Sequence, residues 1–151
     1  MSILKYPDKR LRVICKEVTK INDNLKKESR QILDALKSID TPLTLINGLA
    51  ANQIGLKKRI VIIKKLGNTY ITMINPEIVS SSILFLSIEI CASLPKIIRL
   101  KKRKLLVKVK YQNLNGKQKS INLLGLTSFT MQQEIDHLNG KLIIDYALSN
   151  N

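Results

Sequence analysis

Gln133, Glu134 and His137 stand in the run Gln132-Gln133-Glu134-Ile135-Asp136-His137-Leu138-Asn139-Gly140, and Cys91 lies well upstream. On a helix, positions 133 and 137 are four apart and share a face. The spacing matches the hydrolytic pattern His-Glu-x-x-His, in which two imidazoles one turn apart hold a metal ion and the glutamate beside the first moves protons. Here glutamine occupies the first position. With the Cys91 thiolate brought to the same face, one sulfur and two helix side chains would form a three-ligand site with water in the fourth position. Such a site lowers the pKa of bound water to about 7 and polarises a carbonyl, while Glu134 carries protons between water and leaving group. A single helical histidine and a buried cysteine are also common as plain packing residues, which is the alternative at this point.

These residues need a helix and a strand end to meet. Thr127 or Ser128 is expected to cap a helix from about Phe129 to Asn139, with Gly140 as its left-handed stop. The almost wholly apolar run Ile83 to Ile90 is expected to be a buried strand delivering Cys91 at its end. Leu105 to Tyr111 alternates in polarity and reads as a half-exposed strand, and Gln118 to Leu124 returns across an Asn115-Gly116 type I′ turn. Upstream, Arg59 to Lys64 and Thr69 to Ile74 form a hairpin about Gly67-Asn68, closed by Pro76. A helix from about Leu25 to Ser38, capped by Asn22 or Asp23 and ended by Thr41-Pro42, carries a stripe of Leu25, Ile32, Leu33, Leu36 and Ile39. The small residues of Asn47 to Gly55 would let backbone lie close to a neighbour. One helix, several short strands and a last helix indicate an α+β domain spanning 1–151.

Composition supports one domain: 151 residues, 44% hydrophobic, bury a core but do not divide comfortably into two. No apolar run reaches the roughly 20 residues that cross a bilayer, and the first residues lack a signal's apolar segment, so a cytoplasmic protein without a membrane partner is expected. Two cysteines make no disulfide scaffold; Cys15 reads as a small buried hydrophobe and Cys91 as a reduced thiol. The net charge is +15, and no acidic residue occurs between Glu89 and Glu134, a span rich in lysine. That face would attract polyanions, although AT-rich coding yields the same composition and few aromatics accompany the charges.

Taken together, the chain resembles the peptide deformylases, whose three signature motifs are Gly-x-Gly-Leu-Ala-Ala-x-Gln, Glu-Gly-Cys-Leu-Ser and Gln-His-Glu-x-Asp-His-Leu. They occur in order as Ile46-Asn47-Gly48-Leu49-Ala50-Ala51-Asn52-Gln53, Glu89-Ile90-Cys91-Ala92-Ser93 and Gln132-Gln133-Glu134-Ile135-Asp136-His137-Leu138. Tyr6-Pro7-Asp8, Ile74-Asn75-Pro76-Glu77 and Leu142-Ile143-Ile144-Asp145 are similar as well, so the likeness runs along nearly the whole chain. The resemblance implies Cys91 and His137 as metal ligands, with Gln133 in the place of the third. It implies Glu134 as general base and acid, and Gln53 as oxyanion donor with the backbone N–H after Cys91. Gly48, Leu49 and Ala92 would line the substrate groove, and Glu89 and Arg103 would be structural partners beside the site. The implied reaction removes the formyl group from N-formylmethionine of nascent chains, most often with ferrous iron and with zinc or nickel as substitutes. The peptide would pair as an added strand. A monomer is expected, and the basic face is the surface that would meet the ribosome.

Departures from the pattern carry physical costs. An amide offers a neutral oxygen or a non-coordinating NH2 where imidazole is expected, which weakens binding of a transition metal or abolishes it. Ile46 replaces a glycine and would clash if its backbone needed positive φ. Ile90 and Ala92 replace glycine and leucine around Cys91, and the bulk of Ile90 could fill space for substrate or water. Two readings follow: a hydrolase with an altered metal site, or a catalytically inactive relative that binds peptide amino termini or the ribosome.

Overall fold

The computed structural model describes residues 2–41, 46–65 and 67–146. Five strands form one antiparallel meander in the order β1-β2-β3-β4-β5: β1 Gly48–Ala50, β2 Ile60–Lys65, β3 Thr69–Cys91, β4 Leu94–Gln112 and β5 Gln118–Leu124. Helix α1, Asp23–Ile39, and helix α2, Leu126–Leu138, complete the α+β fold. No helix among the described residues is long and apolar enough to cross a membrane.

The sheet lies between the two helices, and the strand period shows why. On β2, Ile60 and Ile62 pack with Leu25, Ile32 and Leu36 of α1, whereas Val61 and Ile63 pack with Met131 and Leu138 of α2. Alternate residues point to opposite faces, so a strand covered on both sides reads as an unbroken apolar run. Of the stripe predicted on α1, Leu25, Ile32 and Leu36 are fully buried and Leu33 and Ile39 pack at its margin. The Asn22 side chain accepts from the Leu25 N–H at 2.9 Å, so Asn22 rather than Asp23 is the cap. Pro42 lies outside the described residues.

Several expected boundaries are corrected. Pro76 does not close the first hairpin: β3 continues through it, with a register shift between Ile74 and Glu77 and Asn75 at φ 50°. A bulge places proline where the ladder needs no N–H, so the strand survives it. Asn115-Gly116 is not a type I′ turn, because only Gly116 has positive φ; Asn113 Oδ1 instead accepts from the N–H groups of Asn115 and Lys117 in a longer loop. The run Ile83 to Ile90 is a strand, but not a buried one. Only Ser87 and Glu89 within it are buried, because among the described residues one face of this stretch is covered and the other is not.

Helix α2 also begins earlier than expected. Gly125, at φ 60°, precedes it, and the hydroxyls of Thr127 and Ser128 donate to the Leu124 and Lys104 carbonyls instead of capping the helix. Its end matches expectation: Gly140 has φ 71°, and a Cβ there would lie 2.5 Å from the Arg12 carbonyl oxygen. Gly140→Ala is therefore expected to destabilise the fold by about 2–4 kcal/mol, combining left-handed strain with a backbone clash. Urea unfolding checks this, and a loss below about 0.5 kcal/mol would mean that the approach to Arg12 relaxes freely.

Candidate active site

The site forms where α2 crosses β1 and the end of β3. Gln53 belongs to a short 3-10 helix, Ala51–Ile54, which follows β1 directly. The approach of β1 to α2 depends on Gly48, where a Cβ would sit 2.6 Å from Thr130 Cγ2 and 3.0 Å from Glu134 Cγ. Asn52 ties the elements together, its side-chain amide donating to the His137 carbonyl and, at 3.2 Å, to that of Leu11.

Cys91, Gln53, Glu134 and His137 converge, all buried. Cys91 Sγ lies 3.2 Å from His137 Nε2. The Gln53 amide NH2 is 3.7 Å from Cys91 Sγ and donates to Ser93 Oγ at 3.2 Å, while its oxygen accepts from the Ala50 N–H at 2.8 Å. The amide is thus oriented by its own loop, with its donor facing the sulfur. Ser93, quoted within the second motif but given no role there, is the partner that fixes this orientation.

Burial dominates the electrostatics. It raises the Glu134 carboxyl to about 8, against the lowering effect of the Ala50 N–H, so this acid keeps its proton at neutral pH. Burial likewise lowers His137 to about 4 and leaves the ring neutral. The Cys91 thiol is pushed up to about 12 by burial first and by the Glu134 charge second. Glu134 Oε2 and His137 Nδ1 have no hydrogen-bond partner. A carboxyl oxygen left without a partner in the lining of the site cavity is uncommon in a finished core and marks a place where a ligand or solvent belongs.

The donor set decides what can be held there. A sulfur at about 2.3 Å and an imidazole nitrogen at about 2.0–2.1 Å from one tetrahedral ion would be about 3.5 Å apart. The 3.2 Å separation of Cys91 and His137 is close to that. Gln133 does not complete the set: its NH2 donates to the Ile90 carbonyl at 3.1 Å and also faces the Cys91 sulfur. A carboxamide NH2, its lone pair delocalised into the carbonyl, is no ligand. Among the described residues, no group of three or more His, Cys, Asp or Glu side chains could hold a metal ion. The residues present therefore fit two positions of a three-ligand centre and fail the third.

The surroundings separate the remaining expectations. Gly48, Ala92 and Gln53 line the site cavity together with Ile46, Ile90 and Gln133, and its volume is about 10 Å³. That is room for about one water molecule. The Leu49 side chain corrects its expected role: it is fully buried in the cluster beneath α1, on the face of β1 away from the cavity. Ile46 stands in the lining of the cavity, where its branched side chain adds bulk. Glu89 and Arg103 pair beside the site. The Arg103 guanidinium donates to both Glu89 oxygens and, at 2.7 Å, to Asp136. Lys101 adds a 3.0 Å contact to Asp136. Although burial raises the Asp136 carboxyl, these two cations hold it below its ordinary range.

The profile of the family described as Polypeptide deformylase matches residues 1–151. A peptide deformylase of Buchnera aphidicola subsp. Schizaphis graminum is 35% identical over 148 residues, covering 97% of this chain and 86% of that one. The peptide deformylase structure from Thermotoga maritima superposes with a TM-score of 0.85 at 37% identity, covering 95% of this chain and 94% of that chain. The one from Legionella pneumophila gives 0.89 at 35% identity, covering 97% and 85%. These enzymes form a metal-dependent, formyl-removing hydrolase family, and both the motifs and the fold described above agree with it. This chain belongs to the peptide deformylase family.

Proposed function

We propose that the chain is a deformylase whose turnover of N-formylmethionyl peptides is held far below the family's by Gln133. The observation that carries this reading is the 3.1 Å hydrogen bond from the Gln133 NH2 to the Ile90 carbonyl, which commits the third ligand position to donating. Cys91 and His137 are the two ligands retained for a divalent ion, ferrous by family likeness, with zinc or nickel as substitutes. Glu134 is the general base and acid that takes a proton from water and hands it to the leaving amine. Gln53 and the Ala92 N–H face the place where negative charge gathers on the formyl oxygen. The substrate is the formylated amino terminus of nascent chains, met in the cytoplasm by a monomer.

Gln133 acts a second time through the same contact. Among the described residues, β3 beyond Ile74 is paired by β4 alone, so the Ile90 carbonyl belongs to an open strand edge of the kind that an added peptide strand pairs with. The glutamine takes that acceptor.

A second reading, an inactive relative that binds peptide ends or the ribosome, is favoured by the roughly 10 Å³ cavity between Ile46 and Ile90. Metal content after anaerobic purification, measured beside deformylation of a formyl-Met peptide, separates the two. Turnover that is abolished by Glu134→Gln is expected under the first reading. An empty site with no turnover, unchanged by Glu134→Gln, selects the second.

A further inference from the structure

The hairpin of β3 and β4 carries an apolar surface that the site does not use. Leu84, Leu86 and Ile88 pair with Lys104, Lys102 and Leu100, and Ile90 pairs with Ile98. Directly paired residues share a face, so these side chains stand together on one side of the ribbon. The residues between them, Ser87, Glu89 and Arg103, are buried on the other side. Leu84 is 55% exposed, Leu86 56%, Ile88 64%, Ile98 63% and Leu100 45%. Five adjacent exposed aliphatic side chains on one face form the kind of contiguous patch that marks a contact surface. Ile83, at the margin of the patch, has φ 57°, a conformation that costs a β-branched residue strain.

The rim of the patch is cationic. Lys102 and Lys104 lie on the same face at one end and exposed Lys96 lies near the turn at the other, with no acidic residue between Glu89 and Glu134. A second copy of the chain would bring two such rims together, at +15 each. RNA would match the lysines but leave the aliphatic side chains without partners, and aromatic residues make up only 4% of the chain. Protein interfaces favour Tyr, Trp, Phe, Met and Arg and are poor in lysine, the reverse of what stands here. A bilayer surface with anionic headgroups meets both requirements at once, taking aliphatic side chains at the acyl boundary and lysines at the phosphates.

We propose that the outer face of the β3–β4 hairpin docks the protein peripherally on anionic lipid bilayers. Leu84, Leu86, Ile88, Ile98 and Leu100 meet the acyl boundary, and Lys96, Lys102 and Lys104 meet the headgroups. Such contact needs no crossing helix, and it replaces the expectation of no membrane partner. It is independent of the state of the metal site.

Co-sedimentation of the full chain with vesicles of phosphatidylcholine alone, or of phosphatidylcholine with phosphatidylglycerol, tests the proposal. Binding to the anionic vesicles is expected. It should weaken about tenfold or more in the double variant Leu86→Thr, Ile88→Thr, which loses two aliphatic anchors. Lys102→Gln should weaken it about fivefold. Both positions are exposed and threonine suits a strand, so an unchanged thermal midpoint and circular dichroism spectrum show that the variants fold. Absence of binding to anionic vesicles would overturn the proposal. So would equal binding by the double variant, which would reduce the contact to charge alone. A dimer of the free protein that the double variant dissolves would assign the face to a second copy and overturn it as well.

Discussion

Gln133→His is expected to raise bound metal and deformylation together, each by about 10–100-fold or more. The lower bound follows from ligand chemistry, since losing even a hydrogen-bond partner of a ligand costs that much and a direct ligand is worth more. Geometry favours the substitution. Position 133 is one turn from His137 on α2, and Cys91 Sγ is already 3.2 Å from His137 Nε2. The variant gives up the hydrogen bond to the Ile90 carbonyl, a contribution of about 1 kcal/mol, and so frees an acceptor on the open edge of β3. Adding Glu134→Gln to this variant should leave metal content unchanged and lower the rate about 10²–10⁴-fold, the usual contribution of a positioned proton carrier. Full metal occupancy with a background rate would sink the ligand explanation. It would place the block in the bulk of Ile46 and Ile90, which Ile90→Gly would then relieve.

Arg103→Met should cost about 3–5 kcal/mol of stability, the loss expected when one partner of a buried ion network is removed. Arg103 is 5% exposed and Glu89 2%, so neither Glu89 nor its neighbour Asp136 gains much water when the guanidinium leaves. Chemical unfolding measures the loss, and Glu89→Gln in the same chain should restore part of it by removing the stranded charge. A cost under about 1 kcal/mol for Arg103→Met would instead describe a solvated surface pair. Because Asp136 lies between Glu134 and His137 on α2, the same variant should loosen the helix that carries both.

The fold was legible where residue pattern reports local physics. The stripe on α1, the apolar run of β2 and the glycine after α2 each follow from periodicity or backbone freedom, and all appear at the expected places. Elements failed where tertiary pairing decides. The run from Ile83 to Ile90 looks like core because apolarity normally reports burial; it stays exposed because nothing among the described residues packs on that face of the hairpin. Pro76 ends a strand by propensity, yet a bulge absorbs it. At the site, the spacing of 133 and 137 and the strand end at Cys91 pointed to Glu134, His137 and Cys91, and the resemblance of the first motif added Gln53; the four lie together in the fold. Hydrogen bonding across elements was not legible. The Gln133 contact to Ile90, the Gln53 contact to Ser93 and the Asn52 clamp all join segments distant in the chain.

The clamp at Asn52 also sets an order of assembly. The Cys15 N–H donates to the Leu138 carbonyl at 2.8 Å, Ile14 bridges to Asn139, and Asn52 holds the carbonyls of Leu11 and His137 at once. The segment from Leu11 to Cys15 therefore rests on α2, which is made well after it. Until α2 has left the exit tunnel, Asn52 lacks the His137 carbonyl and the Cys15 N–H lacks that of Leu138, and the meander can pair its strands but not close its site. Synthesis from the amino end thus keeps the segment from Leu11 to Cys15 waiting as an unfinished strap, so a pause before α2 would leave a chain with a formed sheet and no chemistry.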